Sequence, residues 1–180
     1  MVTIQELQNY LLTEIDSSFT GQVNTWINQM SKYIETETGQ EFAEQAEASE
    51  RVFDGNSKRE LLVDKFYELD LVTYKDTPIE VLAYPANKTP QWKLYSEQRF
   101  PYGRQNIVVN AKWGYGGAPD DISFACLVFT AGIIQKQVIS KNDKASEKIG
   151  DYQVSYTTEA QRDDFNRAME IVKNYKEIAI

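Results

Sequence analysis

Residues 107–134 read IVVNAKWGYGGAPDDISFACLVFTAGII, and the change of pattern within this stretch decides the fold. Apolar and polar residues alternate up to Trp113, which is typical of a β-strand with one buried face. Residues 114–119 then supply three glycines and a proline, which end the strand. Asp120 and Asp121 complement the dipole at the start of a helix, and the apolar run after them predicts a central helix over residues 119–139.

Two amphipathic helices are predicted before this stretch, over residues 1–42. Thr3 and Glu6 have the spacing of a capping box, in which each side chain satisfies an amide at the start of the helix. Gly39 suits the left-handed position that ends a helix. After the central helix, residues 147–180 alternate and then become amphipathic, which predicts a strand followed by a last helix.

The region between the helix pair and the central helix is interpreted as an antiparallel β insertion over residues 51–113, because its apolar period is close to two. The Asp54-Gly55 pair predicts a tight hairpin between the first two strands. The expected fold class is α+β. It is a small helical bundle of two N-terminal helices, a central apolar helix and a C-terminal helix, with an antiparallel β insertion, in a single domain over residues 1–180. The candidate strands are 51–53, 60–63, 69–74, 79–84, 92–95 and 106–113.

The composition argues against several classes of function. The 180 residues carry 19 Lys and Arg against 27 Asp and Glu, a net charge of −8, which disfavours general binding to duplex DNA. Histidine is absent, and with it the Ser-His and Cys-His nucleophile pairs and the commonest metal ligand. We therefore expect no enzyme, no cofactor and no metal. Four of the acids stand among small residues, in either a helical extension or a solvated linker: Glu41, Glu44, Glu47 and Glu50.

The sequence predicts a protein made in the cytoplasm. Cys126 is the single cysteine, so no intrachain disulfide can form and a reducing compartment is the simplest interpretation. Residues 1–6 lack the basic and then apolar pattern of a secretory signal. The apolar run of residues 122–134 is shorter than the roughly 20 residues that a bilayer span needs, so no membrane partner is expected.

Aromatic and cationic side chains are the candidate binding groups. Four of them form a set of the kind that stacks on bases or sugars, or that anchors protein interfaces: Tyr102, Arg104, Trp113 and Tyr115. The net negative charge favours the protein interface, since binding a nucleic-acid strand requires a positive groove. Lys141 and Lys144 lie in a short polar loop, which is most often only solvated.

Three segments in order carry a resemblance that spans nearly the whole chain. The first is the end of the helix pair, Thr38-Gly39-Gln40-Glu41-Phe42. The second is the strand of residues 107–115, which leads through Ala118-Pro119-Asp120-Asp121-Ile122 into the apolar helix. The third is residues 146–156, before the last helix. Together they resemble the head-tail connector, or adaptor, family of tailed bacteriophages, which forms the ring below the portal, although residues 51–113 are longer than the usual insertion of that family.

The resemblance implies a structural virion protein without catalytic activity. Such a protein would be made in the host bacterial cytoplasm and end in the virion neck, in a dodecameric ring of copies of itself. The ring would dock on the portal, receive a tail-completion or stopper protein, and let DNA pass as cargo without specific binding. As a hypothesis, the loop of residues 140–146 and the strand that follows it approach the inside of the ring, and the C-terminal helix reaches the portal. The candidate subunit or portal contacts are Tyr102, Arg104, Trp113, Tyr115, Lys141, Lys144, Tyr175, Ile178 and Ile180.

Two hypotheses from other classes stay open. A monomeric carbohydrate- or protein-binding module would use the aromatic loop around Tyr102 and Trp113. A histidine-free hydrolase would need two carboxylates facing each other across a cleft, and the sequence shows no such pair.

Overall fold

The computed structural model describes residues 2–139, 146–149, 152–155 and 159–176. The chain divides into two compact units. The helical unit combines residues 1–40 with residues 119–180, and the sheet unit consists of residues 41–118. Four helices and an antiparallel sheet confirm the predicted α+β class, while the arrangement as a single domain stays a prediction.

The helical unit contains α1 (Ile4–Leu11), α2 (Thr20–Thr38), α3 (Asp120–Ile134) and α4 (Glu159–Tyr175). The predicted capping box is present. The Thr3 hydroxyl accepts a hydrogen bond from the Glu6 amide at 3.2 Å, and the Thr3 amide donates to the Glu6 carboxylate at 2.7 Å. Gly39 ends α2 in the left-handed conformation, with a φ of 68°. Both signals depend on neighbouring residues only, and the structure confirms both.

Helix α3 forms the core of the helical unit. Ten of its 15 residues are buried, and it contacts α1, α2 and α4. A helix that is apolar nearly all round needs such partners on several sides. The α-helical hydrogen bonding ends at Ile134, and a π-helical turn continues over Gln135–Ile139. The last turn of the predicted central helix is therefore not α-helical.

The sheet unit is built on one antiparallel sheet. Its strands are β1 (Ser49–Gly55), β2 (Glu60–Tyr74), β3 (Thr77–Pro78), β4 (Leu82–Tyr84), β5 (Gln91–Tyr95) and β6 (Gly103–Trp113). They lie in the order β1-β6-β2-β5-β4, and β3 pairs with β2. Every second residue of β6 is fully buried from Ile107 to Trp113, as the period of two requires. One apolar cluster fills the unit, and Phe100 joins it from the loop after β5.

The hairpin predicted at Asp54-Gly55 is wrong, because β6 lies between β1 and β2. The Asp54 carboxylate accepts a hydrogen bond from the Gln105 amide at 2.6 Å, and the Gly55 amide donates to the Asn106 side chain at 2.8 Å. Both bonds reach across to β6. Pairing with a distant strand therefore overrides the local turn signal, which the sequence shows but the fold does not use.

Three other strand predictions differ from the structure in their extent. Residues 60–63 and 69–74 belong to one long strand, β2, which has three register shifts along its pairings. The strand predicted over residues 79–84 begins only at Leu82. The single strand predicted before the last helix is a hairpin of β7 (Ser146–Ile149) and β8 (Tyr152–Ser155). Irregular pairing of this kind leaves little trace in a hydrophobic pattern.

Candidate interaction surface

The described residues contain neither a candidate metal site nor a reactive cysteine. No group of three or more His, Cys, Asp or Glu side chains among them could hold a metal ion. Cys126 is buried, with its thiol 3.4 Å from the Ser31 hydroxyl. Burial raises the pKa of the Cys126 thiol, so the thiol stays protonated and unreactive. In the described part of the chain, no helix has the length and apolarity to cross a membrane.

The four predicted aromatic and cationic residues do not form one cluster. Tyr102 and Arg104 lie at the start of β6, and 84% of the Tyr102 surface is exposed. Trp113 ends the same strand, roughly 30 Å away at about 3.3 Å per residue. Its side chain is fully buried. Tyr115 follows it and is half-buried. The length of β6 therefore separates two pairs of residues that lie within 14 positions of each other in the sequence.

Trp113 holds the sheet unit together. Its indole Nε1 donates a hydrogen bond to the Ser49 carbonyl at 2.8 Å. Its ring centroid lies 5.9 Å from that of Phe53 and 6.2 Å from that of Phe66. The guanidinium of Arg51 lies 4.5 Å from the centroid. These contacts are all internal, so Trp113 presents no exposed ring face to a ligand.

Tyr115 also contacts its own unit. Its ring centroid lies 5.0 Å from that of Phe42, and the Lys65 ammonium lies 5.4 Å from the Tyr115 centroid. The Tyr115 amide donates to the Glu41 carbonyl at 3.0 Å. Through these contacts, Tyr115 links the first residues of the sheet unit to the end of β6.

Two loops leave the sheet at the end where Tyr102 lies. β1 ends opposite the start of β6, and β2 begins opposite the end of β5. The loop of residues 56–59, between β1 and β2, and the loop of residues 96–102, between β5 and β6, therefore lie at the same end. Strand pairing alone brings them together.

Backbone hydrogen bonds join these two loops. The Ser57 amide donates to the Phe100 carbonyl at 3.1 Å, and the Phe100 amide donates to the Lys58 carbonyl at 2.9 Å. The Ser96 amide donates to the Arg59 carbonyl at 2.9 Å. The Phe100 side chain is buried in the apolar cluster of the sheet unit. The loops are therefore fixed to each other and to the core.

The joined loops and the start of β6 carry four exposed cations. In the described part of the chain, none of the four has a carboxylate partner. The acids of this region are Asp54, which accepts the Gln105 amide, Glu97, and Glu60, which forms an ion pair with Lys93. Positive charge is therefore in excess here, in a chain that is acidic as a whole. We call this surface the basic end; it consists of Lys58, Arg59, Arg99, Tyr102 and Arg104.

Two of the five residues of the basic end, Tyr102 and Arg104, are among the contacts predicted from the sequence. Arg99 is not among them, and neither are Lys58 and Arg59, which lie some 40 residues earlier. No local signal connects the two loops. The strand order, with β6 inserted between β1 and β2, is what places them together.

The four glutamates of residues 41–50 lie at the opposite end of the sheet unit, where β6 ends and β1 begins. Residues 41–48 are neither helix nor strand. Gln45 anchors them. Its backbone amide donates a hydrogen bond to the Tyr67 hydroxyl at 2.8 Å, and its side-chain oxygen accepts one from the Trp113 backbone amide at 3.1 Å. We call this surface the acidic end; it consists of Glu41, Glu44, Glu47 and Glu50.

The glutamates of the acidic end differ in their partners. Glu41 forms an ion pair with Arg51 at 2.7 Å. Glu44, Glu47 and Glu50 are exposed and form no ion pair with a described cation. The raised pKa of Lys112 reflects its hydrogen bond to Glu68 and, to a lesser degree, the charge of Glu44. Neither of the two predicted settings, a helical extension or a solvated linker, describes a segment that is anchored in this way.

The face of the sheet opposite the core carries exposed apolar side chains. Leu62 on β2 is 69% exposed and Leu82 on β4 is 59% exposed. They lie on the same face as Tyr84, because Leu62 pairs with Lys93 and Lys93 with Tyr84. This face is a second candidate contact surface, apolar where the basic end is charged.

The remaining predicted contacts lie at the C-terminal side of the chain. Tyr175 ends α4, and its hydroxyl donates to Asp121 Oδ1 at 3.0 Å, which ties α4 to the first turn of α3. The others fall outside the described residues: Lys141, Lys144, Ile178 and Ile180. The contact roles of all nine candidate residues stay predictions.

No protein-family profile matches the chain, and no curated protein is significantly similar to it in sequence. Solved structures do match. A chain from the neck of an empty gene transfer agent (GTA) particle, computed with C6 symmetry, aligns with a TM-score of 0.51 and 13% identity, over 99% of this chain and 91% of that one. A chain from the virion of a native GTA particle gives 0.51 and 12% over the same shares. At these identities the similarity shows a shared fold.

Proposed function

We propose that the chain is a structural subunit of the neck of a phage-like particle, a head-tail connector that forms a ring with copies of itself. The observation that carries the proposal is the fold, which extends over 99% of the chain and matches a chain from the neck of a GTA particle. A fold alone does not define a function. The three sequence segments that resemble bacteriophage adaptors support the same class independently.

In this proposal the ring docks on the portal on one side and receives a tail-completion or stopper protein on the other. DNA passes through its channel as cargo, and a net charge of −8 per subunit disfavours adhesion of that DNA. We assign the portal contact to Tyr175, Ile178 and Ile180, and the approach to the channel to Lys141 and Lys144. The dodecameric copy number is a multiple of the six-fold symmetry with which the neck of the empty GTA particle was computed.

The alternative, a monomeric carbohydrate- or protein-binding module, has less support. It would use the aromatic faces of Tyr102 and Trp113, but Trp113 is fully buried. Stacking on sugars or bases needs exposed rings. Of the two aromatic residues, Tyr102 alone offers one.

Deletion and complementation in cells that produce the particles test the proposal. We expect cells that lack the gene to accumulate heads without tails. A tagged copy of the chain should restore tailed particles and co-purify with the portal and tail-completion proteins in a particle-sized complex. Normal particles in the deletion strain, or a tagged chain that purifies alone, would overturn the proposal. Recovery with a carbohydrate or a non-virion protein would support the binding module.

A further inference from the structure

We propose that the basic end of one copy docks on the acidic end of the next copy, and that this contact closes the ring. The inference rests on the proposed function. It identifies the two surfaces through which neighbouring subunits of the ring make contact, which the proposed function does not specify. The partner of the basic end is thus a second copy of this chain.

The positions of the two ends suit a head-to-tail contact. β6 begins at the basic end with Gly103 and finishes beside the acidic end with Trp113, about 33 Å away. Charges that far apart cannot pair within one subunit. Two neighbouring copies can pair with them, one at each end. A contact between two different surfaces repeats around an axis, and it forms a closed ring when the rotation from one subunit to the next divides a full turn evenly.

The ion pairs within the sheet unit leave the charges at these two ends available to a partner. Arg51 pairs with Glu41 and Asp64 at 2.7 and 2.9 Å, and Lys112 pairs with Glu68 at 2.9 Å. Lys93 likewise pairs with a carboxylate of the same unit. The four cations of the basic end and three of the four glutamates of the acidic end have no such partner in the described part of the chain. Seven charges without an ion pair therefore lie at the two ends, positive at one and negative at the other, and further exposed charges lie elsewhere in the unit at Lys75, Asp76, Glu80 and Lys88.

Both surfaces are fixed before any contact forms. The loops of the basic end are joined by three backbone hydrogen bonds, and Gln45 anchors the acidic end to Tyr67 and Trp113. Surfaces that are already ordered lose little conformational entropy on binding. Tyr102, exposed over 84% of its surface, adds an aromatic side chain of the type that dominates interface energetics.

A phosphate backbone would attract the same four cations. The second copy is the better partner because the same unit carries the complementary acidic surface, and because a chain with a net charge of −8 disfavours adhesion of a polyanion. Nucleic acid binding is therefore the competing outcome of the test.

Two double variants of the full chain test the contact in producing cells that lack the native gene. The first, Arg99→Glu with Arg104→Glu, reverses two of the four positive charges of the basic end. The second, Glu47→Lys with Glu50→Lys, reverses two of the four negative charges of the acidic end. We expect each variant alone to reach the particle neck at least about tenfold less than the wild-type chain, because like charges then face each other at every contact. Expressed together, the two variants should alternate around the ring and restore incorporation.

The matched control is Lys88→Glu with Arg162→Glu, which changes two other exposed cations and gives the same net charge as the first variant. It should be incorporated like the wild-type chain. Thermal unfolding of each purified variant checks that the fold is kept.

The outcomes separate the inference from the proposed function. Failure of the wild-type chain to enter the neck refutes the proposed function. Normal incorporation of either double variant alone, or no recovery on co-expression, overturns the contact while the function stands. Loss of bound nucleic acid by the first variant, with incorporation unchanged, assigns the basic end to DNA instead.

Discussion

The helical unit and the sheet unit secure their cores in different ways. In the helical unit, α3 is buried on several sides by α1, α2 and α4, and the buried Thr130 hydroxyl bonds to the Cys126 carbonyl of its own helix at 2.8 Å. In the sheet unit, Trp113 bonds to Ser49 and Gln45, which lie more than 60 positions earlier in the chain. Both units have an apolar core. In the sheet unit, that core is assembled by pairing between strands that are far apart in the sequence.

Replacing the central side chain of the sheet unit should have the largest effect on stability. Trp113→Ala removes a fully buried indole, its hydrogen bond to Ser49 and its contacts with Phe53 and Phe66. We expect the free energy of unfolding to fall by about 3–5 kcal/mol. Urea denaturation of the purified chain measures it. Tyr102→Ala is the matched control, since it removes an exposed aromatic ring and should change stability by less than about 0.5 kcal/mol. A loss below about 1 kcal/mol for Trp113→Ala would contradict the central role of this side chain.

The same substitution at two glycines should have opposite signs in the two units. The Cβ in Gly55→Ala would run into the Pro101 carbonyl and the Asn106 side chain, which should cost about 1–3 kcal/mol. Gly21 lies in the first turn of α2 with no atom within 4 Å of a Cβ. Gly21→Ala should therefore stabilise the chain by about 0.5–1 kcal/mol. Both values come from urea denaturation. Equal effects of the two substitutions on stability would contradict the expectation that Gly55 has less space for a Cβ than Gly21.

The same difference explains which features the sequence could predict. The capping box at Thr3 and the left-handed Gly39 were correct because each depends on residues three or four positions apart. The apolar run of α3 was equally clear, because a helix buried on several sides has no polar face. The hairpin at Asp54-Gly55 was wrong, although its local signal was strong, because the partner of β1 comes from residues 103–113.

The candidate surfaces show the same contrast between features that depend on neighbouring residues and features that depend on distant strands. Tyr102 and Arg104 were identified because an aromatic loop with cations is visible in the sequence. Lys58 and Arg59 could join them only once the order of the strands was known. Trp113 was grouped with them by proximity in sequence, and the length of β6 places it at the other end of the sheet unit. The composition of this surface depends on long-range strand pairing, which the composition and periodicity of the sequence do not encode.

At the start of α1, one local contact can be removed alone. Thr3→Ala deletes the hydroxyl that accepts the Glu6 amide, and should cost about 1 kcal/mol at neutral pH. Thr3→Ser keeps the hydroxyl and serves as the control. Urea denaturation at about pH 7 and about pH 3 measures both variants.

The pH dependence follows from Glu6. Hydrogen bonds from the Thr3 amide and then the Thr3 hydroxyl lower the pKa of Glu6 below its ordinary value of 4.5. A carboxylate with a lowered pKa stabilises the fold above that ordinary value, and this contribution is lost as the pH falls through the lowered pKa. The stability gap between wild type and Thr3→Ala should therefore narrow in acid, and only slightly, because Glu6 is exposed. A gap that is the same at both pH values would mean that the carboxylate contributes nothing to this helix start, and that the hydroxyl acts alone.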